Sequence, residues 1–256
     1  CVHSGRATNA TPYGTPRHLK RVAQPSRNST RNSYAVDACG SPPYDDGMLV
    51  LTPPNADAVQ RFRRGDASPD EIRDEQVLRR WQRVARRGVV ADGPAFALAS
   101  TDLVTRQERV ADVFRETRSE LDVWTNHIAN TGVVALVADA EGVIVRCQGG
   151  ASVSRAAEVR LIENARWDED ARGTNAIGTA LLEGCDIGVL GAAHYEERNH
   201  GLFCYASPVH DPYGNIIAVL DITGPIEAND PRYAQQVTAA RAKLEHAIRA
   251  RAYAAA

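Results

Sequence analysis

The stretch Gly173–Tyr195, GTNAIGTALLEGCDIGVLGAAHY, changes its periodicity twice and decides how the rest of the chain is read. Gly173-Thr174-Asn175 predicts a helix start: glycine supplies backbone freedom, and Thr174 or Asn175 supplies the cap. A short apolar helix then runs to about Leu182, with Ile177 on its apolar side. A strand near 185–191 follows and delivers His194 and Tyr195 to the loop Glu196–His200. Free N–H groups at a helix start can meet a carbonyl or an anion. With a polar strand end beside them, they predict one wall of a pocket for a small ligand.

Working outward, strands are expected near 202–209 and 215–223, joined by the turn Asp211-Pro212-Tyr213-Gly214. Asp230-Pro231 opens a helix to about Tyr253, with Val237, Leu244 and Ile248 along one side. Upstream, a helical stretch near 152–164 precedes the Trp167 loop. Val133–Ala138 and Val143–Cys147 form a hairpin around Asp139–Gly142. Val110, Val113, Phe114, Leu121, Trp124 and Ile128 recur at helical spacing, which predicts one helix over 101–129 ended by Asn130-Thr131-Gly132. Ser68-Pro69-Asp70-Glu71 reads as a capping box. Its helix runs to about Arg87 with Val77, Leu78, Trp81 and Val84 on one face.

Residues 1–66 lack such periodicity and read as a disordered or irregular basic segment. The domain division is therefore 1–66, a helical region over 67–129, and 130–256 as a sheet domain with a C-terminal signalling helix. The fold class is α+β, an antiparallel sheet flanked by helices.

Composition narrows the function classes. The chain has 256 residues, 43% hydrophobic and 24% charged, enough for a sizeable core without metal or disulfides. The first 36 residues hold six Lys/Arg and no acid, so the remainder carries 24 basic against 32 acidic residues. A net-acidic body argues against direct nucleic-acid binding. No apolar run is long enough for a membrane span, and none is expected. The five cysteines are odd in number and widely spaced, which argues against a structural zinc site or a disulfide framework. Three lie in apolar, strand-like contexts that suit buried inert thiols, and a reducing cytoplasm fits best.

Each candidate residue has a structural reading beside a functional one. Gly173-Thr174-Asn175 is no P-loop, since no Gly-Lys-Ser/Thr follows, and it lacks the Rossmann glycine pattern. A metal would require His194, His200 and His210 to converge, and their spacings match no zinc signature; no metal or cofactor is expected. Cys204, in Phe203-Cys204-Tyr205, is a packed thiol or, with a nearby base, a nucleophile. Trp167 is either a core anchor or an aromatic pocket wall.

Trp167, Gly173–Leu181, His194-Tyr195, Cys204 with Pro208, Asp211-Pro212 with Gly214, and Val219-Leu220-Asp221-Ile222 together resemble a GAF domain. The subgroup is the sensory part of acetoin-catabolism-type, sigma-54-dependent bacterial activators, and the match covers about 68–253. Ala193 and Ala218 depart from its usual acid and glycine.

The resemblance implies a cytoplasmic, non-enzymatic input domain that binds a small alcohol, ketone, aldehyde or phenol. Trp167, Thr174, Asn175, Ile177, His194, Tyr195, Phe203, Cys204 and Tyr205 would line its site. A homodimer through the flanking helices is expected. The ATPase and DNA-binding domains of such regulators are expected to lie outside this chain. Two rival readings are a cysteine-based methionine sulfoxide reductase using Cys147, Cys185 or Cys204, and a structural dimerisation module.

Overall fold

The computed structural model describes residues 47–64, 75–91, 103–115, 117–149 and 161–254. Residues 1–46 and the 68–71 capping box lie outside this description, as does 152–160 of the helix expected over 152–164; residues 161–164 are not helical. Among the described residues six strands form one sheet: β1 Leu49–Leu51, β2 Val134–Asp139, β3 Ile144–Gly149, β4 Ile187–Leu190, β5 Leu202–His210 and β6 Ile216–Pro225. Their spatial order is β1-β4-β5-β6-β2-β3. All neighbours are antiparallel except β1 and β4, which run parallel.

The helices are α1 Ala56–Arg64, α2 Glu75–Arg86, α3 Leu103–Val113, α4 Arg118–Ala129, α5 Glu169–Arg172, α6 Ala176–Glu183 and α7 Arg232–Ala254. No helix among the described residues is long and apolar enough to cross a membrane. The chain is α+β, as its sequence predicts, with a mixed rather than wholly antiparallel sheet.

Side-chain alternation along each strand divides the core in two. On the front face, Leu136, Val189, Cys204, Ala206 and Val219 pack with Trp81 of α2, Ile177 of α6, Trp167 and Tyr195. On the back face, Val137, Phe203, Tyr205, Leu220 and Ile222 pack with Phe114, Leu121 and Ile128 and with Val237 and Leu244 of α7. Both faces are covered, so β2 is buried throughout, in keeping with its continuous apolar run.

Two expectations are corrected here. The segment read as irregular contains β1 and α1 between residues 49 and 64. Met48, Leu49 and Leu51 are core residues, but a run of four apolar residues is too short to display a period. The single helix over 101–129 is two helices. They part where Arg115–Arg118 contributes no apolar residue between Phe114 and Leu121, and the turn buries Phe114 and Thr117.

Candidate functional site

The turn that opens α6 is built as its residues dictate. Asn175 caps the helix: its Oδ1 accepts from Gly178 N at 2.9 Å, and its Nδ2 donates to the Gly173 carbonyl at 2.8 Å. Gly173 has φ +68°, and a Cβ there would lie 2.6 Å from the Tyr195 ring. A Cβ on Gly178 would meet the Trp167 carbonyl at 2.6 Å, so this glycine lets α6 lie against the Trp167 backbone. Thr174 is fully buried; its carbonyl accepts from Tyr195 N, while its hydroxyl has no partner. A buried hydroxyl without a hydrogen bond costs about 1–3 kcal/mol.

His194 is fully buried. Its Nδ1 lies 2.9 Å from the Gly191 carbonyl, which can only accept, so the proton sits on Nδ1. Nε2 is then the acceptor for the Cys204 thiol, 3.3 Å away. Burial pulls the imidazole down to about 4. Burial first, then the charge of Asp221, pushes the Cys204 thiol well up. The pair is a neutral imidazole and a neutral thiol, the reverse of an activated cysteine.

The other thiols do not rescue that chemistry. Cys147 donates to the Leu161 carbonyl at 3.3 Å, and burial raises it to about 11. Its strand β3 lies three strand spacings from β5, roughly 14 Å at about 4.8 Å per strand. Cys185 is disulfide-bonded, which departs from the expectation of a chain without disulfides. The histidines do not gather either: His200 Nε2 contacts the His194 carbonyl, and His210 pairs with Glu245 on α7. Among the described residues no group of three His, Cys, Asp or Glu is placed to hold a metal.

The structure brings Trp167, Thr174, Asn175, Ile177, His194, Tyr195 and Cys204 to the front side of the sheet. It does not bring Phe203 and Tyr205 there, although the sequence places them beside Cys204. Alternation turns both to the back, where Phe203 stacks on Tyr233 and the Tyr205 hydroxyl donates to Asn229. Asn175, His194 and Tyr195, polar residues at element ends that would suit a pocket mouth, are not at a surface. All three are buried, and the Tyr195 hydroxyl donates to the Val89 carbonyl at 3.0 Å.

Several residues at the site escaped the sequence reading. Arg172, fully buried, stacks 4.0 Å over Trp167 and donates from Nε to Glu196 at 2.6 Å. Arg83 of α2 grips Glu169 through two hydrogen bonds of 3.0 and 2.8 Å, and Thr179 donates to the same carboxylate at 2.6 Å. Arg80 pairs with Glu183. With Trp81 Nε1 donating to the Ala193 carbonyl, this network fastens α2 across α5, α6 and the His194 turn.

Asp221 lies on the front of β6, opposite Ala206 on β5 and Leu136 on β2, and is 1% exposed. Its Oδ1 accepts from Thr223 at 2.5 Å. Burial pushes the carboxyl up to about 7. The available signal was a lone acid inside the apolar run Ile216–Ile222.

Comparison with known proteins places this architecture. Residues 52–246 match the family described as MimR, N-terminal domain. The chain is 37% identical over 130 residues to the acetoin catabolism regulatory protein of Cupriavidus necator, covering 50% of this chain and 20% of that one. It is 28% identical over 195 residues to the propane 2-monooxygenase operon transcriptional activator MimR of Mycolicibacterium smegmatis, covering 74% and 32%. It thus spans a fifth to a third of the length of these relatives, whose names describe regulators rather than enzymes. The crystal structure of the E. coli DhaR(N)-DhaL complex shares the fold, with a TM-score of 0.64 at 13% identity over 70% of this chain and 62% of that one.

Proposed function

We propose, from the premise that the chain belongs to the MimR N-terminal domain family, that this sensory domain of a transcriptional activator binds a small organic effector on the front of its sheet. The effector is an alcohol, ketone, aldehyde or phenol. The observation that carries the reading is the fully buried, unpartnered Thr174 hydroxyl in the turn opening α6. Trp167, Ile177 and Cys204 supply apolar surroundings on the same side. Asn175, His194 and Tyr195 are positioning residues that hold the turn.

In this reading residues 130–256 bind the effector in the cytoplasm. The helices before residue 130 and α7 relay the signal to ATPase and DNA-binding parts outside this chain. A ligand of about six heavy atoms is bounded near −9 kcal/mol by a ceiling of about −1.5 per atom, so micromolar to millimolar affinity follows. A thermal-shift screen of small oxygenated metabolites tests the reading. At a concentration of 100 times Kd the expected stabilisation is about 2.7 kcal/mol, or several degrees. No shift with any of them would leave a structural dimerisation module.

The signal needs an output, and α4 and α7 supply one. They flank a groove of about 450 Å³ lined by Val123, Trp124, Ala239, Ala240 and Leu244, with Val123 71% exposed. Glu120, His127 and Lys243 also line it, so the groove carries an acid beside a lysine and a histidine. A twofold pairing of two such grooves is self-complementary in charge and completes a four-helix arrangement. The occupant is therefore a second copy of this chain. Sedimentation at micromolar concentration should give a dimer that Val123→Glu dissociates; a monomeric wild type ends the dimer model.

A further inference from the structure

The front face of the sheet holds one charged side chain that no part of the fold uses fully. Asp221 Oδ1 is held by Thr223, but Oδ2 is buried without a hydrogen-bond partner. The carboxyl sits between Ala206 and Leu136, in the middle of the sheet and on the side that carries Cys204 and His194. Ala206 and Leu136 are apolar and completely buried, and neither side chain can hydrogen-bond to the acid. Thr174 supplies a second buried, unpartnered oxygen on the same side, in the turn before α6. Two orphaned polar groups, one from the sheet and one from the covering turn, are what a site leaves for a ligand that hydrogen-bonds at both.

We propose that Asp221 is the sheet-side recognition group for the effector, its Oδ2 bonding the hydroxyl or carbonyl oxygen of an uncharged ligand, while Thr223 fixes the carboxyl from the other side. This rests on the sensing reading above and narrows it. An anion would have to lie, out of water, against the Asp221 carboxyl, which burial makes costly. A cation meets the opposite obstacle: the Arg172 guanidinium is near enough to act on both His194 and Cys204. A ligand with oxygen but no charge meets neither. Because burial raises the carboxyl to about 7, Asp221 can donate to a ketone or accept from an alcohol near neutrality.

The test titrates the full chain calorimetrically with four-carbon probes of matched size: 3-hydroxybutan-2-one, butan-2-ol, butan-2-one, butyrate and 2-aminobutane. At least one uncharged probe should bind, and at least tenfold more tightly than butyrate or 2-aminobutane. Asp221→Val should weaken that binding at least tenfold, while Asp221→Asn, which keeps an oxygen and gains N–H donors, should lose less. Equal binding by Asp221→Val, or preference for either charged probe, overturns the assignment and leaves the sensing reading standing. Failure of every probe with the wild type overturns both.

Should Asp221→Val not fold, the infrared difference spectrum of the wild type serves. The carboxyl band missing from Asp221→Asn should shift when the bound probe is added, and an unmoved band overturns the proposal.

Discussion

The two faces of one sheet obey different rules. The back packs Phe203, Leu220 and Ile222 against Val237 and Leu244 of α7, and its buried acid, Glu245, is paired with His210. The front interleaves Leu136, Ala206 and Val219 with His194, Cys204, Asp221 and Thr223, all of them buried. A face built only for stability has no reason to desolvate an acid, an imidazole and a hydroxyl. On the proposed reading the back carries stability and the front carries recognition, and neighbouring residues of one strand belong to different tasks.

Phe203 and Cys204 break that comparison most sharply, because they are adjacent in β5 and face opposite ways. Phe203→Ala should destabilise the domain by about 3–5 kcal/mol while probe affinity of the folded fraction stays unchanged. Cys204→Ala removes one sulfur and should cost about 1 kcal/mol, yet weaken probe binding several-fold. Urea unfolding beside calorimetry reads both; equal effects of the two variants on binding would erase the distinction between faces.

The next largest effect is a pair of opposing pH dependences confined to the front. Asp221 has its folded value raised to about 7, so the native state holds a proton that the unfolded chain loses from about pH 4 upward. Its contribution makes stability fall as pH rises from about 4 to 7, by on the order of 4 kcal/mol. His194 is lowered to about 4, so below about 6.5 the unfolded chain binds a proton that the native state refuses. Its contribution makes stability rise from about pH 4 to 6.5, by on the order of 3 kcal/mol. Relative to wild type, Asp221→Asn should therefore gain stability with rising pH, and His194→Asn should lose it. Differences that do not change with pH in either variant would mean that neither group is shifted by burial.

The smallest effect sharpens the comparison at the covering turn. Asn175→Ala removes the α6 cap and should cost about 1 kcal/mol, with cooperative unfolding retained. If Asn175 only positions Thr174, probe binding should weaken moderately. A loss as great as that of Asp221→Val would make Asn175 a direct contact.

Much of this domain was legible because its signals are local. The hairpin of β2 and β3 follows from two apolar runs around Asp139–Gly142, and the cap of α6 needs only Asn175 and the N–H three residues on. Helix α7 follows from one start signal and one stripe. The site was half legible: Trp167, Thr174, Ile177, His194, Tyr195 and Cys204 were marked by type and position. Phe203 and Tyr205 flank Cys204 in sequence but face away from it, because alternation along a strand separates neighbours in space.

The sequence by itself determined where strands and helices form and that the whole is α+β, since periodicity, caps and turns act within a few residues. Tertiary structure alone decided the rest. The short run Leu49–Leu51 becomes a strand because β4, far along the chain, offers it a parallel edge. Arg80 and Arg83 find Glu183 and Glu169 across about a hundred residues, and no local pattern marks such partners. Asp221 differs from an ordinary surface acid only because neighbouring strands and α6 close over β6, and removal from water is a property of the packed whole.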